Sequence, residues 1–234
     1  MKFSRNLILL LGCLLTTATL SAQTIDSESN VPSYKRVYVF NAGIGFGMPD
    51  MCGGGISSWD VPKDEDRSGF TSSLQLMTFS PRSAFGYGAY YYHYRGKKQK
   101  YENMDEASSF HYVAPQVSFL KRQTAFERGV GYINAGVGYV RHQAKGTLMP
   151  QAEPSQTDYR TRVSGIGCNI GLAYEYIFDS NIALRLSVDG IYARLKGLHQ
   201  GNSYVDRSPV RPKENIHLFV PSLELGLSYY LFHR

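Results

Sequence analysis

The sequence predicts an all-β chain that forms an eight-stranded, antiparallel, up-and-down transmembrane β-barrel. Long segments alternate with a period of two between large apolar residues and small or polar ones, as strands with two different faces do. The connections between them are alternately long and short, which is typical of membrane barrels. After residue 22 no apolar run approaches the roughly 18 residues that a membrane helix needs.

The first 22 residues are predicted to be a signal peptide that is removed during export. Lys2 and Arg5 supply the charged start, residues 6–20 are mostly apolar, and the small Ala22 precedes the expected cut. The mature chain is therefore expected to begin at Gln23.

The remaining chain is predicted to contain one leader and one domain. Residues 23–34 are polar and are expected to form an extended periplasmic leader, and residues 35–234 are expected to form the outer-membrane barrel. A lipoprotein is the alternative, because Leu10-Leu11-Gly12-Cys13 resembles a lipoprotein cleavage box. The apolar stretch before Cys13 is short for that role, so cleavage after residue 22 is preferred.

The first strand is predicted at residues 38–48, where Phe40 and Phe46 alternate with Asn41 and with glycines. The second to fifth strands alternate less regularly. Pro115 interrupts the fourth, because proline removes a donor from the hydrogen-bond ladder. These four strands are placed at residues 70–80, 85–95, 109–121 and 129–142.

The sixth strand, at residues 164–178, shows the alternation most clearly. Ile166 and Leu172 share one face with other large apolar residues, while Asn169 and Glu175 share the other with glycines. The seventh and eighth strands repeat this pattern and are placed at residues 184–192 and 219–231. The apolar faces are expected to meet lipid, since the strands of a soluble sandwich are usually shorter.

The predicted connections alternate in length without exception. The long ones are residues 49–69, 96–108, 143–161 and 196–215, and the short ones are 80–84, 122–128 and 179–181. In a membrane barrel the long connections are external loops and the short ones are periplasmic turns. Eight strands with both chain ends in the periplasm give this order.

Glycine pairs separated by one residue recur along the strands. A nucleotide-binding interpretation would require a following helix and a third glycine at the correct spacing, and neither is present. We expect the glycines to relieve crowding inside a narrow barrel, whose interior is filled by side chains. The pairs and triplet are Gly43/Gly45/Gly47, Gly86/Gly88, Gly129/Gly131, Gly136/Gly138 and Gly165/Gly167.

Aromatic residues gather near both predicted ends of the strands. Two such groups match the interfacial girdles of a membrane barrel, and an aromatic binding groove is the alternative. The group near the turns is Phe79, Phe85, Tyr87, Phe119, Tyr176, Phe178, Tyr229 and Phe232. The group near the loops is Phe46, Phe70, Tyr91, Tyr94, Tyr112, Tyr139, Tyr192 and Phe219.

The C-terminal run resembles the assembly signal of outer-membrane proteins, in which a polar residue and a glycine precede spaced hydrophobic or aromatic residues. The residues that carry this likeness are Glu224, Gly226, Tyr229, Leu231 and Phe232. The chain continues through two further residues, whereas family members often end on the aromatic residue.

The mature chain resembles the small outer-membrane β-barrel proteins of Bacteroidetes, with an architecture similar to the OmpA transmembrane domain. The Ser21-Ala22-Gln23 junction is also typical of that group. The resemblance implies a multi-pass barrel in the cell outer membrane of a Gram-negative envelope, inserted by the barrel-assembly machinery. It implies no single activity, because one fold hosts many functions.

Composition excludes some functions and favours none. The formal charge is +6, but no basic run with interleaved aromatics indicates nucleic-acid binding. No cofactor is expected, and no pair of His or Cys has the spacing of metal ligands.

We expect Cys52, in a glycine-rich loop, and Cys168, in a strand, to be free thiols. The histidines considered for lipid-modifying chemistry are His93, His111, His142, His199 and His217, and none accompanies a nucleophile motif.

Basic residues cluster where strands would leave the outer leaflet. They are candidates for contact with lipopolysaccharide phosphates. The alternative is a solvated rim whose charges cancel against acidic residues of the loops. The candidate residues are Arg95, Lys97, Lys98, Arg141, Lys145, Arg160, Arg162, Arg194 and Lys196.

An enclosed charge network is also predicted. The short turn at residues 179–181 would place Glu175 directly across from Arg185, both on the polar face. Asp189 lies on the same face, and Glu224 comes from the last strand. Charges enclosed in a narrow barrel must pair, so these residues are expected to block free passage.

These observations predict a non-enzymatic outer-membrane barrel with a structural or interaction role, whose loops contact lipopolysaccharide or an envelope protein partner. Three alternatives remain open: a narrow pore for small solutes, an accessory subunit of an envelope secretion machine, and a lipid A-modifying enzyme.

Overall fold

The computed structural model describes residues 36–52, 68–80, 83–101, 104–122, 128–148, 157–178, 181–200 and 216–233. The predicted signal peptide and leader, and parts of the predicted connections, lie outside these residues. Within them there is no helix long and apolar enough to cross a membrane.

The described chain is built from eight long strands and two strands of three residues. Alternating apolar and polar residues form the long strands, because a period of two separates two faces. The strands are β1 (Arg36–Gly47), β2 (Asp50–Cys52), β3 (Gly69–Phe79), β4 (Phe85–Gly96), β5 (Gln99–Tyr101), β6 (Met104–Arg122), β7 (Gly129–Leu148), β8 (Thr157–Ile177), β9 (Ile182–Gln200) and β10 (Ile216–His233).

The eight long strands close into an antiparallel barrel. Their order is β1-β3-β4-β6-β7-β8-β9-β10, and β1 pairs back with β10 from Arg36 opposite His233 to Gly47 opposite Ser222. The short strands β2 and β5 extend this sheet beside β10 and β6. The predicted eight-stranded barrel is therefore confirmed. Closure leaves the long strands without a free edge, so their backbone groups pair within the protein.

The two ends of the barrel differ. The strand ends that flank the short connections lie at one end, together with the start of β1 and the end of β10, and we call this the turn end. The strand ends that flank the long connections lie at the other, called the loop end. Strands β6 to β9 contain 19, 20, 21 and 19 residues, against 12, 11 and 12 for β1, β3 and β4. A membrane-crossing strand needs about 9–11 residues. These four strands, and β10 with 18 residues, therefore project beyond that span at the loop end.

This projection corrects the predicted connections. Residues 104–108, 143–148, 157–161 and 196–200 were expected in loops, but they continue the strands. The backbone of these residues remains paired, but apolar and polar residues no longer alternate along them. The sequence therefore gives no sign that they belong to strands. Cys52 likewise lies in the short strand β2, not in a loop. Cys168 is a free, exposed thiol.

The outer surface carries the apolar residues. Ile166 is 71% exposed, whereas Glu175 on the opposite face of β8 is fully buried. The faces predicted for the first, sixth, seventh and eighth strands are confirmed by this alternation. Large exposed apolar residues include Phe40, Ile44, Phe46, Leu74, Leu76, Val113, Val117, Val137, Ile170, Leu172, Leu184, Leu186, Val188, Leu223, Leu225 and Leu227.

The core lies inside the barrel in three layers. The turn-end cluster comprises Val39, Met77, Phe79, Val130, Tyr132, Ala173, Ala183 and Tyr230. The loop-end cluster includes Tyr90, Tyr92, Tyr94, Phe110, Tyr112, Val140, Ile191, Leu195 and Leu218. Between them lies a polar layer that includes Asn41, Gln75, Gln116, Asn134, Glu175, Arg185, Ser187, Asp189, Glu224 and Ser228.

Three aromatic residues assigned to the girdles lie inside the barrel instead. Phe79, Tyr94 and Tyr112 are 5%, 2% and 0% exposed. In β4, residues 90–94 read Tyr-Tyr-Tyr-His-Tyr, so both faces carry aromatic rings and the sequence offers no contrast between them. The remaining members with described burial are exposed or half-buried.

Candidate functional site

Glu175 and Arg185 form an ion pair inside the barrel. The strands β8 and β9 pair in the predicted register, with Glu175 directly opposite Arg185. The Nη1 atom of Arg185 donates to Oε1 of Glu175 at 2.7 Å. Glu175 is fully buried and Arg185 is 7% exposed, so solvent hardly screens the pair.

Further side chains surround this ion pair. Ser228 donates to Oε1 of Glu175 at 2.8 Å, and the Tyr230 hydroxyl donates to Oε2. The hydroxyl groups of Tyr230 and Tyr132 lie 2.6 Å apart, and the Arg185 guanidinium lies 5.8 Å from the Tyr132 ring centroid. The carboxylate of Glu175 therefore has a partner on each oxygen, as a buried charge requires.

Asp189 and Glu224 lie in the same polar layer but outside this pair. Both are buried, and the ion pair of Arg185 is with Glu175. Ser73 donates to Oε2 of Glu224, while Oε1 has no hydrogen-bond partner among the described residues. All four residues of the predicted network are therefore buried in this layer, but among the four only Glu175 and Arg185 form an ion pair with each other.

Side-chain amides, which the sequence reasoning did not single out, fill the rest of the polar layer. Asn41 donates to Gln75 at 2.7 Å, and Gln75 donates in turn to Gln116. Ser118 donates to Asn134 in the same way. These residues occupy inward positions of their strands, so strand parity was the signal that could have identified them.

Aromatic rings close the interior at the loop end. The Phe110 ring lies 5.4 Å from Tyr92 and 5.6 Å from Tyr94, between centroids. Tyr112 lies 6.2 Å from Tyr90 and donates to Asn169 at 3.0 Å. With the turn-end cluster at the opposite end, apolar side chains close both sides of the polar layer.

A second arrangement lies on the outside of β4, β6, β7 and β8 near the loop end. His93 pairs with His111, which pairs with Arg141, so the three side chains occupy neighbouring strands at one level. The imidazole rings of His93 and His111 stack at 4.6 Å. The Tyr91 hydroxyl lies 2.9 Å from Nδ1 of His111.

The next level toward the loops continues this surface. Arg95 and Ser109 pair across β4 and β6, and Gln143 and Arg162 pair across β7 and β8. We call this surface the basic face, defined by His93, Arg95, His111, Arg141 and Arg162. Among its described side chains these two levels contain no carboxylate.

The other basic candidates are more dispersed. Lys97 and Lys98 follow β4 and are exposed, and Lys145 is exposed on β7. Arg194 lies on β9, opposite His217, whose Nδ1 is 2.5 Å from the Tyr192 hydroxyl. Arg160 and Lys196 occupy β8 and β9, and only their backbone positions are described.

The candidate assembly residues lie on both faces of β10. Glu224 faces the interior beside Gly226, while Tyr229 and Leu231 are 48% and 52% exposed on the outer face. The Phe232 ring stacks on Tyr230 at the turn end, with centroids 6.4 Å apart. Within the described residues no group of three or more His, Cys, Asp or Glu could hold a metal ion.

The barrel is closed, has eight long strands, an apolar outer surface and a filled interior. This combination is the architecture of small outer-membrane β-barrels. A major outer membrane protein from Thermus thermophilus is similar to this chain at 14% identity and a TM-score of 0.51, over 84% of this chain and 99% of that one. This likeness shows the shared fold.

Two other solved barrels are similar at lower scores. Neisserial surface protein A matches at 10% identity and a TM-score of 0.47, over 82% of this chain and 96% of that one. OprG from Pseudomonas aeruginosa matches at 11% identity and a TM-score of 0.44, over 88% of this chain and all of that one, 100%. No protein-family model and no curated protein matches the sequence.

Proposed function

We propose that this protein is an integral barrel of the bacterial outer membrane, exported by its signal peptide, with a closed interior and a structural or interaction role. The sequence resemblance to Bacteroidetes barrels supports this compartment. The observation that carries the proposal is the combination of an apolar outside and a packed inside on one closed sheet.

The outer surface argues for a lipid environment. Large side chains such as Ile44, Val137 and Ile166 are 59%, 61% and 71% exposed, and they recur around the barrel. Soluble monomers rarely expose contiguous apolar patches of more than a few hundred Å². A lipid bilayer removes this cost, because its core is as apolar as the side chains.

The interior argues against an open pore. An eight-stranded barrel is just wide enough for its side chains to fill it. Here aromatic and aliphatic side chains fill both ends of the interior, and the Glu175–Arg185 pair is enclosed between them. A barrel of this kind offers its outer surface and loops, not its lumen, to other molecules.

The basic face supports contact with lipopolysaccharide phosphates. Arg95, Arg141 and the two stacked histidines lie at the loop end, just beyond the apolar surface. Arginine binds phosphate through several donors in a fixed geometry, and charge-assisted hydrogen bonds are among the stronger ones. Tyr91 and Tyr139 lie one level nearer the membrane, where amphipathic rings suit the interface.

The test compares the unfolding midpoint of the barrel in phosphatidylcholine vesicles with and without lipid A. We expect lipid A to raise the midpoint of the wild type, and the Arg95→Ala/Arg141→Ala variant to lose most of this increase. Arg36→Ala, which removes an exposed arginine at the turn end, is the matched control and should retain it. An equal increase with dephosphorylated lipid A would contradict phosphate recognition.

The accessory role in an envelope machine is the second candidate. Strands β6 to β9 project beyond the membrane span and form a paired sheet at the loop end. A rigid sheet is a suitable surface for a protein partner, because little ordering entropy is lost on binding. Photo-crosslinkers at Ala107 and Gly146, compared with Ala84 at the turn end, should capture a partner only at the first two sites.

A further inference from the structure

Two imidazole rings stack at the centre of the basic face. His93 on β4 lies directly opposite His111 on β6, and their ring centroids are 4.6 Å apart at an interplanar angle of 20°. Arg95 follows on the same face of β4, and Arg141 on β7 lies directly opposite His111. Because neighbouring strands are about 4.8 Å apart, both guanidinium groups lie within a side-chain length of the stacked rings.

Most polar atoms of these four side chains have no partner within the described part of the chain. Neither Arg95 nor Arg141 forms an ion pair with a described residue. Neither ring nitrogen of His93 has a described hydrogen-bond partner, and His111 is bonded through Nδ1 alone, to the Tyr91 hydroxyl at 2.9 Å. Two guanidinium groups and three imidazole nitrogens are therefore available to one ligand.

The strands around the stacked pair add positive charge and no negative charge among the described residues. On β3 the residue opposite the first histidine is Ser72, and β6 places Ser109 and Val113 beside the second. The titratable neighbours are Tyr91 on β4, Tyr139 on β7 and the two arginines. Like charges disfavour the charged form of an imidazole, so its protonation at this place requires an anion.

The Tyr91 hydroxyl allows His111 to change charge without losing its hydrogen bond. A phenolic hydroxyl both donates and accepts, so it can donate to a neutral Nδ1 or accept from a protonated one. Imidazole is also the side chain that ordinarily changes charge between about pH 5 and pH 8. Proton uptake by the pair therefore requires a compensating negative charge but no rearrangement of the strands.

We propose that the stacked pair, Arg95 and Arg141 bind one doubly charged phosphate group, and that the pair takes up one proton from solvent as the group binds. This inference rests on the proposed contact with lipopolysaccharide phosphates and adds how that contact is regulated. The arginines attract the anion at any pH, whereas the histidines add positive charge only when protonated. A lipid phosphomonoester and inorganic phosphate share this chemistry, while a phosphodiester carries one charge less.

Inorganic sulfate is the probe, because it stays doubly charged across the pH range, whereas a phosphomonoester titrates with a pKa of about 6. The full chain is folded in a maltoside detergent, which carries no phosphate, and NaCl holds the ionic strength constant. Sulfate affinity is measured between about pH 5.5 and pH 8.5 from the backbone amide NMR signals of β4 and β6. We expect the apparent Kd to rise by up to about tenfold per pH unit through the imidazole titration, since one proton leaves with each anion.

The His93→Gln/His111→Gln variant isolates the contribution of the stacked pair. It keeps both arginines and should bind sulfate with the same affinity at every pH, close to that of the wild type at the alkaline end. His217→Gln is the matched control, because His217 on β10 is also bonded to a tyrosine hydroxyl on the outer face. A wild-type slope in the double variant, or its loss in the control, would assign the proton to another group and overturn the proposal.

The wild type also separates this inference from the function on which it rests. Sulfate affinity that does not change with pH would overturn the inference and leave the phosphate contact of the arginines intact, whereas no anion binding at any pH would overturn both. Dioctanoyl phosphatidic acid, a monoester, should bind more tightly than dioctanoyl phosphatidylglycerol, a diester, and the reverse order would contradict the need for two charges. Tighter binding of phosphatidic acid than of inorganic phosphate would identify a lipid headgroup as the source, and equal affinities would identify the free ion.

Discussion

The effect of substituting a charged residue depends on whether its side chain is enclosed in the barrel or exposed outside it. Arg185 is bonded to Glu175 and lies over the Tyr132 ring, whereas Arg194 on the same strand is exposed on the outer face. A buried charge that loses its partner is left uncompensated, while an exposed one is hydrated. Two arginines of one strand should therefore respond very differently to the same substitution.

Arg185→Ala is expected to lower the free energy of unfolding by about 3–5 kcal/mol, since it leaves three buried carboxylates without a cation. Arg194→Ala should change it by less than about 0.5 kcal/mol. Urea unfolding in detergent micelles measures both. In the Glu175→Ala background, Arg185→Ala should cost less than it does in the wild type, which isolates the coupling of the pair. Independent, additive losses would show that the ion pair contributes no coupling.

Glycines differ in the same way according to their surroundings. At Gly45 a Cβ atom would lie 2.7 Å from the Cα of Glu224, a backbone atom that cannot move aside. At Gly190 the nearest atom, on the Phe219 ring, would be 3.5 Å away, which is an ordinary contact.

Gly45→Ala should therefore reduce the yield of folded barrel and its unfolding midpoint, because β1 and β10 must separate to admit the methyl group. Gly190→Ala, the matched control, should leave both nearly unchanged. Refolding yield and thermal unfolding in detergent measure the difference. Equal tolerance of the two substitutions would mean that the close approach of β1 to β10 is not maintained.

At the scale of strands, alternation determined how much could be predicted. In the membrane-spanning parts of β8 and β10 most outward residues are large and apolar, so the facing of both strands followed from the sequence, as did the Glu175–Arg185 pairing between β8 and β9. In β4 both faces are aromatic, and Tyr94 was placed outside although it lies inside. Beyond the membrane span there is no apolar face, so the outer parts of β6 to β9 carried no signal.

The amide cluster inside the barrel illustrates a second limit of prediction from sequence. Asn41 and Gln75 pair across β1 and β3, and Gln75 bonds Gln116 of β6 across the intervening β4. Strand parity places each of them inside, but it gives no level along the axis until the register between strands is known. The uneven sharing of charge among Arg185, Asp189 and Glu224 could not be derived from composition for the same reason.

The outer face of β10 can be tested by adding charge. Tyr229→Asp or Leu231→Asp would put a carboxylate on the lipid face, at a cost of up to about 2–4 kcal/mol at mid-depth and less near the interface. Tyr229→Leu preserves the apolar surface and is the control. Membrane assembly is measured as the folded fraction in outer-membrane preparations. Full assembly of either aspartate variant would show that the face assigned to lipid does not contact it.

For the molecule as a whole, closure of the sheet determines resistance to denaturation. All eight long strands pair on both sides, and β1 joins β10 over twelve residue pairs from Arg36 to Gly47. Opening such a sheet exposes backbone groups on two strands at once, which is unfavourable in detergent or lipid. Unboiled samples should therefore migrate differently from boiled samples on SDS gels. Identical migration would indicate that no closed barrel survives in detergent.

We propose that the interior of this barrel is sealed, because two apolar clusters and a polar layer with an ion pair fill it. Planar-bilayer recording of the purified, folded protein tests this claim most directly. We expect no steady conductance above the baseline of the bare bilayer, over repeated insertions verified by protease protection. Large and steady conductance from the wild type would contradict the claim and would establish an open channel in its place.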